Sequence, residues 1–332
     1  MVKKRKHSKQ KKIIISLSIF LILFLSIGYA AFGTNISLKT KGNIKTEYIT
    51  FGNVTVSISK KNDGLFRDEY ESGRYIYKGT NPNNYITFNN EEYRIVAIEK
   101  DKTIKIIKNT AITDKINYDN TSRSDYNTGY YTTRYNKDGY CTNTSGCNWW
   151  ASSKSTYDIT YALTETVTLD NTNLALPEED SLANQYLNGT DIFQNKGYYD
   201  SLDENSKKQI ESHYFNIGPT TTNNNDIQTT INEEEKYKWK GNVGLLNASD
   251  YMKSHLNAHT YMESIYEWYW FINPLSNTRN KTTSANHTGG MVYWGIGSKV
   301  GIVPVIYLNK NINLLGTGEK TNPYQIIKKD IN

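Results

Sequence analysis

Two histidines four residues apart, His255 and His259, have the spacing of a metal-binding helix, because at i and i+4 both imidazoles leave one face and could share a cation. The rest of such a site does not follow. Leu256 stands where a zinc protease carries its catalytic glutamate, and no third ligand is identifiable, so the pair reads as a solvent-facing helix surface and no metal is expected. Acidic residues come as the runs Glu178-Glu179-Asp180 and Glu233-Glu234-Glu235. Glycosidases use two carboxylates at a set separation across a cleft, whereas consecutive loop residues point in different directions, so both runs are expected to be solvated. No EF-hand spacing accompanies them, and Gly295-Ile296-Gly297-Ser298 lacks the spacing of a Gly-x-Ser-x-Gly nucleophile turn. Cys141 and Cys147, the two cysteines, are too far apart for a redox Cys-x-x-Cys and have no companion ligands, so outside the cell they are expected to close as a disulfide staple across Thr142–Gly146. The catalytic residues and cofactors expected from these motifs are none.

The elements that would position such residues are mostly strands. Val54, Val56 and Ile58 alternate with Thr55, Ser57 and Ser59, which predicts a strand after a polar linker. Asn81-Pro82-Asn83-Asn84 turns the chain into Tyr85–Phe88, and Tyr93–Glu99 and Thr103–Lys108 form a hairpin about Lys100-Asp101-Lys102. Asp114–Ser155 is rich in Tyr, Asn, Ser, Thr and Gly with almost no aliphatic residue, and is expected to be a long loop. Ser181 caps a helix ending at Gly189, and Ser201-Leu202-Asp203-Glu204 reads as a capping box for a helix to about Ser212. Asn216–Glu235 is expected to be a loop, Asp250–Tyr266 a third helix, and Met291–Trp294, Val300–Leu308 and Tyr324–Ile327 the closing strands. Trp268-Tyr269-Trp270-Phe271 must bury at least two of its rings, since four in succession cannot face one way, and Gly289, Gly290 and Gly301 are expected at turns with positive φ.

Composition and targeting narrow the class. Seven Lys/Arg lie within Met1–Lys12, and Ile13–Leu38 follows without a charged residue. This is an export signal: either it is cleaved after Ala30, or Ile13–Phe32 is retained as a single membrane-spanning anchor with its basic end inside. Subtracting those seven from 39 Lys+Arg leaves 32 against 33 Asp+Glu, so the exported part carries about −1 and nucleic acid is not an expected partner. With 27 Tyr, its core must be built on rings whose hydroxyls need partners. The division expected is 1–32 signal or anchor, 33–62 linker with a strand, and 63–328 a single domain with a loop-rich insert at 110–180.

Several ordered blocks carry a resemblance. Trp239, Gly241, Gly244–Tyr251, Trp268–Ser276, Gly289-Gly290 and Gly301–Leu308, with Gly139–Cys141, Gly146–Trp149, Tyr186–Gly189 and Asn322–Tyr324, look like an uncharacterised family of Firmicutes surface domains. That family is itself similar to the C-type-lectin-like fold, in the branch shared with the formylglycine-generating (sulfatase-modifying) enzymes. The resemblance spans Asp63–Ile327 and implies an α+β domain: a mixed, largely antiparallel sheet with short flanking helices and long irregular loops, preceded here by one N-terminal hydrophobic helix. Members often show Arg before the proline of the last strand, where this chain has Val303 before Pro304. Ile272-Asn273-Pro274-Leu275 does not match the tripeptide through which lectins of this fold hold sugar on calcium, and Cys141 and Cys147 do not lie where the formylglycine-generating enzymes keep their thiols. Neither activity transfers.

The function expected is non-enzymatic recognition or adhesion at the extracellular face, of a glycan or protein ligand, through Tyr130, Tyr131, Tyr140, Trp149 and Trp150, with Asn273 and Trp294 contributing. The alternatives are an envelope or matrix protein that self-associates through strand edges, and an extracellular enzyme acting on wall polymers whose carboxylates converge only in the fold.

Overall fold

The computed structural model describes residues 46–112, 116–119, 149–151, 159–161, 168–169, 172–173, 180–189, 197–220, 226–276 and 281–327. Contacts divide the chain into Met1–Lys45 and Thr46–Asn332, and every described element belongs to the second unit. The chain enters through β1 (Tyr48–Phe51), β2 (Val54–Ser57), β3 (Gly64–Arg67), β4 (Tyr75–Lys78), β5 (Tyr85–Phe88), β6 (Glu91–Ile98) and β7 (Ile104–Lys108). Short strands β8 (Ile116–Asn117), β9 (Ile159–Tyr161), β10 (Thr168–Leu169) and β11 (Thr172–Asn173) precede helices α1 (Leu182–Asn188), α2 (Tyr198–Ser201) and α3 (Glu204–Gln209). Then come β12 (His213–Asn216), α4 (Ile227–Glu234), β13 (Tyr237–Gly241), β14 (Val243–Gly244), α5 (Ala248–Lys253) and a 3-10 turn at Tyr261–Ser264. The chain closes with β15 (Trp268–Pro274), β16 (Lys281–Asn286), β17 (Met291–Gly295), β18 (Lys299–Val300), β19 (Val305–Leu308), β20 (Asn313–Leu315) and β21 (Tyr324–Ile327).

Sheet dominates, at 43% strand against 17% helix, and the pairing is largely antiparallel. The main sheet runs β14-β19-β7-β6-β5-β21-β20, with the β3–β4 hairpin joined to β6; only β21 against β5 is parallel, Tyr324 facing Ile86. At its centre β6 and β7 are buried on both faces, as their near-continuous apolar runs require. The hairpin turns where expected: Lys102 takes φ 75°, and Asp101 Oδ1 accepts from both the amide and the hydroxyl of Thr103. A register shift between Ile95 and Ala97 sets two β6 residues against one on β7, so that Ala97 faces Lys105.

Two smaller three-stranded sheets, β12-β13-β9 and β15-β16-β17, carry the aromatic core. Trp150 meets Trp239 edge-on at 5.5 Å, Tyr118 meets Trp270 at 5.7 Å and Phe215 meets Tyr307 at 5.0 Å. Ring tips find backbone partners: Tyr118 Oη donates to Ile272 O, Tyr269 Oη to Met262 O and Trp270 Nε1 to Ile116 O. A core this rich in tyrosine is tolerated because those hydroxyls are satisfied by carbonyls that the strands leave over.

Several expectations change in the structure. Residues 46–60 are part of the body and not a linker, because Ile49 and Phe51 are buried and Phe51 packs edge-on against Tyr324. Ser201 ends α2; the cap of α3 is Asp203, whose carboxylate accepts from the amides of Asn205 and Ser206, and the helix stops at Gln209. The stretch expected as a loop contains α4, capped by Asp226. The long helix over 250–266 is instead the short α5, starting at Ala248, followed by a reversal with Asn257 and Ala258 at positive φ and then the 3-10 turn. Gly289 has the expected positive φ of 84°, whereas Gly301 is required by crowding, since a Cβ there would sit 2.8 Å from Trp268 O. Among the described residues no helix is long and apolar enough to cross a membrane, and the hydrophobic segment at 13–32 lies outside them.

Candidate functional site

Buried charge is the most demanding feature of this body, because an ion removed from water must be paired. Such groups converge beside the central sheet. Lys105 projects from β7 opposite Tyr307 of β19, Arg74 directly precedes β4, Glu99 directly follows β6, and Asp68 and Glu71 lie in the turn after β3. Asp250 and Lys253 come from α5. Asp250 is the hub: Oδ1 lies 2.9 Å from Arg74 Nη2 and 3.5 Å from Lys253 Nζ, and Oδ2 accepts from Lys105 Nζ at 2.8 Å. Arg74 also grips Glu99 through Nε and Nη2 and donates to Asp68 Oδ2 at 2.8 Å. Lys253 completes the ring to Asp68 and Glu71. The side chains of Asp68, Arg74, Lys105, Asp250 and Lys253 are each at most 5% exposed.

Burial and pairing pull the charge states in opposite directions. Burial pushes Asp250 toward the neutral acid, but Arg74, Lys105 and Lys253 outweigh it and hold the carboxyl far below its usual range. Burial pulls Lys105 down and Asp250 more than restores it, leaving the ammonium above its ordinary value. Glu234, at the end of α4, behaves oppositely: burial pushes it up to about 8 despite its bonds from the amide and hydroxyl of Ser249. In the unfolded chain Glu234 ionises near 4.5, so between that value and about 8 the folded state holds a proton the unfolded state lacks. Stability therefore falls as pH rises through this window and levels off above it. Glu234→Gln keeps a group able to bond Ser249 and removes the titration. Urea unfolding at pH 5, 7 and 9 is expected to show the variant gaining on the parent by about 1.4 kcal/mol per pH unit up to about pH 8; parallel profiles would refute the assignment.

Above this network lies a cavity of about 190 Å³ whose wall includes Arg74, Lys105, Asp250, His213, Lys238 and Tyr307. His213 stacks on Tyr307 at 4.0 Å and 16°. Four carboxylates, Glu71, Glu99, Glu235 and Asp250, face three cations, Arg74, Lys105 and Lys238, so the lining is nearly balanced. The cavity offers fixed donors and acceptors of both signs, set by mutual pairing before any ligand enters.

Of the four described residues expected at a recognition surface, three are buried. Trp149 and Trp150 are fully buried, packed on Tyr237 and on Trp239 and Tyr118. Asn273 is also buried: Nδ2 donates to Asn216 O and Gly218 O, and Oδ1 accepts from Ala248 N, so it ties β15 to α5. Trp294 is 38% exposed on β17, edge-on to Trp268 at 5.8 Å. Tyr130, Tyr131, Tyr140 and the Cys141–Cys147 pair lie outside the described residues.

His255 and His259 do not share a helical face, since α5 ends at Lys253. The ring nitrogens of His255 face Tyr251 O and Gly289 O, while His259 stands exposed near Glu263. Among the described residues no cluster of three His, Cys, Asp or Glu could hold a metal. Of the acidic runs, Glu233 and Glu235 are part-exposed, but Glu234 is buried because it lies one helical turn beyond Ile231 on the inward face of α4. The missed residues had one visible signal: Lys105 interrupts the apolar run Ile104–Ile107. No protein-family model, curated protein or solved structure matches the chain.

Proposed function

We propose that this chain is an exported surface protein whose folded body recognises a partner without transforming it, and that the partner engages the cavity over Arg74, Lys105 and Asp250. Five ionised side chains buried beneath a solvent-reached opening carry the reading, because their polarity is fixed in advance and nearly neutral overall. Of the two ligand classes, a polypeptide bearing both charges suits this lining better than an uncharged glycan. Ser249 donates to Glu234, but a carboxyl raised to about 8 is protonated at neutral pH and leaves the hydroxyl unactivated. The basic head and apolar stretch before residue 39 support export, with the body on the extracellular face. The same proposal takes the architecture as C-type-lectin-like, its mostly antiparallel mixed sheet flanked by short helices.

Arrays of charged peptides and of glycans, probed with folded full-length protein, test it, with intact cells probed by the best peptide. Peptides of mixed charge are expected to bind both. Lys238→Glu at the rim is expected to weaken the complex at least tenfold, more at low salt. No peptide binding by folded protein, or none at the surface of intact cells, would overturn the reading.

A further inference from the structure

The run Glu233–Lys238 leaves two charges over. Lys236 Nζ lies 2.6 Å from Glu233 Oε1, three residues back, and Glu234 is turned inward onto Ser249. Glu235 and Lys238 have the same i, i+3 spacing, but the chain passes from α4 into β13 between them and no ion pair joins them. Both side chains line the charged cavity and both residues are part-exposed. Among the described residues neither side chain has a hydrogen bond or an ion pair.

The other charged groups in that wall are already paired. Arg74 holds Glu99 and Asp250, and Lys105 holds Asp250 and donates to Asn247 Oδ1 at 3.0 Å. Glu71 meets Lys253, and the His213 ring lies on Tyr307 with Nε2 3.5 Å from Asp101 Oδ2. An entering ligand therefore finds one carboxylate and one ammonium without counter-ions, in a recess where a charge pair is worth more than at the open surface. At about 190 Å³ the space takes about one amino-acid residue. A residue within a chain carries at most one charge and would leave Glu235 or Lys238 unmet. A residue at the end of a chain can carry both, its terminal group adding to a side chain of opposite sign.

We propose that the part of the partner held in this cavity is a zwitterionic chain end, one residue whose cationic group meets Glu235 and whose carboxylate meets Lys238. The carbons between them lie against Ile231 and Tyr214 of the same wall. An amino-terminal Asp or Glu and a carboxy-terminal Lys or Arg share this chemistry. The inference rests on the recognition proposed above and narrows it, since the partner enters by its end and not by an internal stretch.

Calorimetry of the full-length chain in a non-ionic detergent at low salt tests it. The probes are Asp-Gly-Ser-Gly amide and its acetylated form, acetyl-Gly-Ser-Gly-Lys and its amide, and acetyl-Gly-Asp-Lys-Gly amide, which carries both charges inside the chain. One of the two free-ended peptides is expected to bind, at least tenfold more tightly than its blocked form, and the one that binds names the end. Glu235→Gln is expected to weaken that complex at least tenfold with an unchanged melting midpoint, since the carboxylate has no partner to lose. Blocked or internally charged peptides binding as tightly as the free-ended ones would overturn the chain end and leave charged-peptide recognition standing. So would failure of both free-ended peptides with protein that binds arrayed peptides, whereas failure of every peptide would remove both readings. Free alanine binding as tightly as the peptides would overturn the chain end in favour of a free amino acid, and a Glu235→Gln affinity within twofold of the parent would overturn the role of Glu235.

Discussion

Asp250→Asn is expected to destabilise the body by about 3–5 kcal/mol, the cost of leaving buried charges without their counter-ion. The substitution preserves shape and deletes only the charge on which Arg74, Lys105 and Lys253 converge. For a unit of this size the melting midpoint should drop by roughly 10 °C. Glu71→Gln touches the same network from a carboxylate whose side chain is 32% exposed, and should cost under about 1 kcal/mol because water screens the pair. Acid supplies a further signature. The folded pKa of Asp250 lies below the unfolded value near 3.8, so its stabilisation is present at neutral pH and is lost as pH falls through the folded value. Parent and variant should therefore differ equally at pH 5 and 7 and converge only in stronger acid. Chemical unfolding that places Asp250→Asn within 1 kcal/mol of the parent at pH 7 would contradict the ionic network.

Trp270→Ala should cost about 3–5 kcal/mol for a different reason, the removal of a fully buried indole and the void it leaves. The ring packs edge-on against Tyr118 and its Nε1–H donates to Ile116 O at 3.1 Å, so the loss also frees β8 from the core. Hydrogen exchange is the discriminating measurement: amides of β8 and of its partner β18 should lose protection before those of β6 and β7. Trp294→Ala, on an exposed ring, should stay within about 0.5 kcal/mol. Equal losses for the two tryptophans would mean that the aromatic core is not the one described.

Strands whose partners lie close in sequence were legible. The hairpin about Lys100–Lys102, the strand at Tyr85–Phe88 and the closing strand Tyr324–Ile327 follow from alternation and turn residues, which act locally. Helix limits were less legible, because Ser201 and Asp203 are both good caps and the helix starts from Asp203. The stretch after Asp250 has helical periodicity, yet its chain reverses at Asn257-Ala258 to deliver Thr260 beside Gly79, a contact made across 180 residues. The charged network could not have been read from spacing, since Arg74, Lys105 and Asp250 belong to segments that meet only in the tertiary structure. Trp149 and Trp150 looked like surface rings because their neighbours are polar, whereas their burial depends on β13, some 90 residues later.

The parallel placement of β21 beside β5 has a consequence for assembly. Until β21 is made, β5 has a free edge on that side, and the hairpin partner of β20 does not yet exist. The nascent polypeptide can form its early antiparallel ribbon but not close the framework, so completion must wait until Tyr324–Ile327 has left the ribosome. Truncation before Tyr324 would leave a sticky, aggregation-prone rim rather than a slightly shorter product.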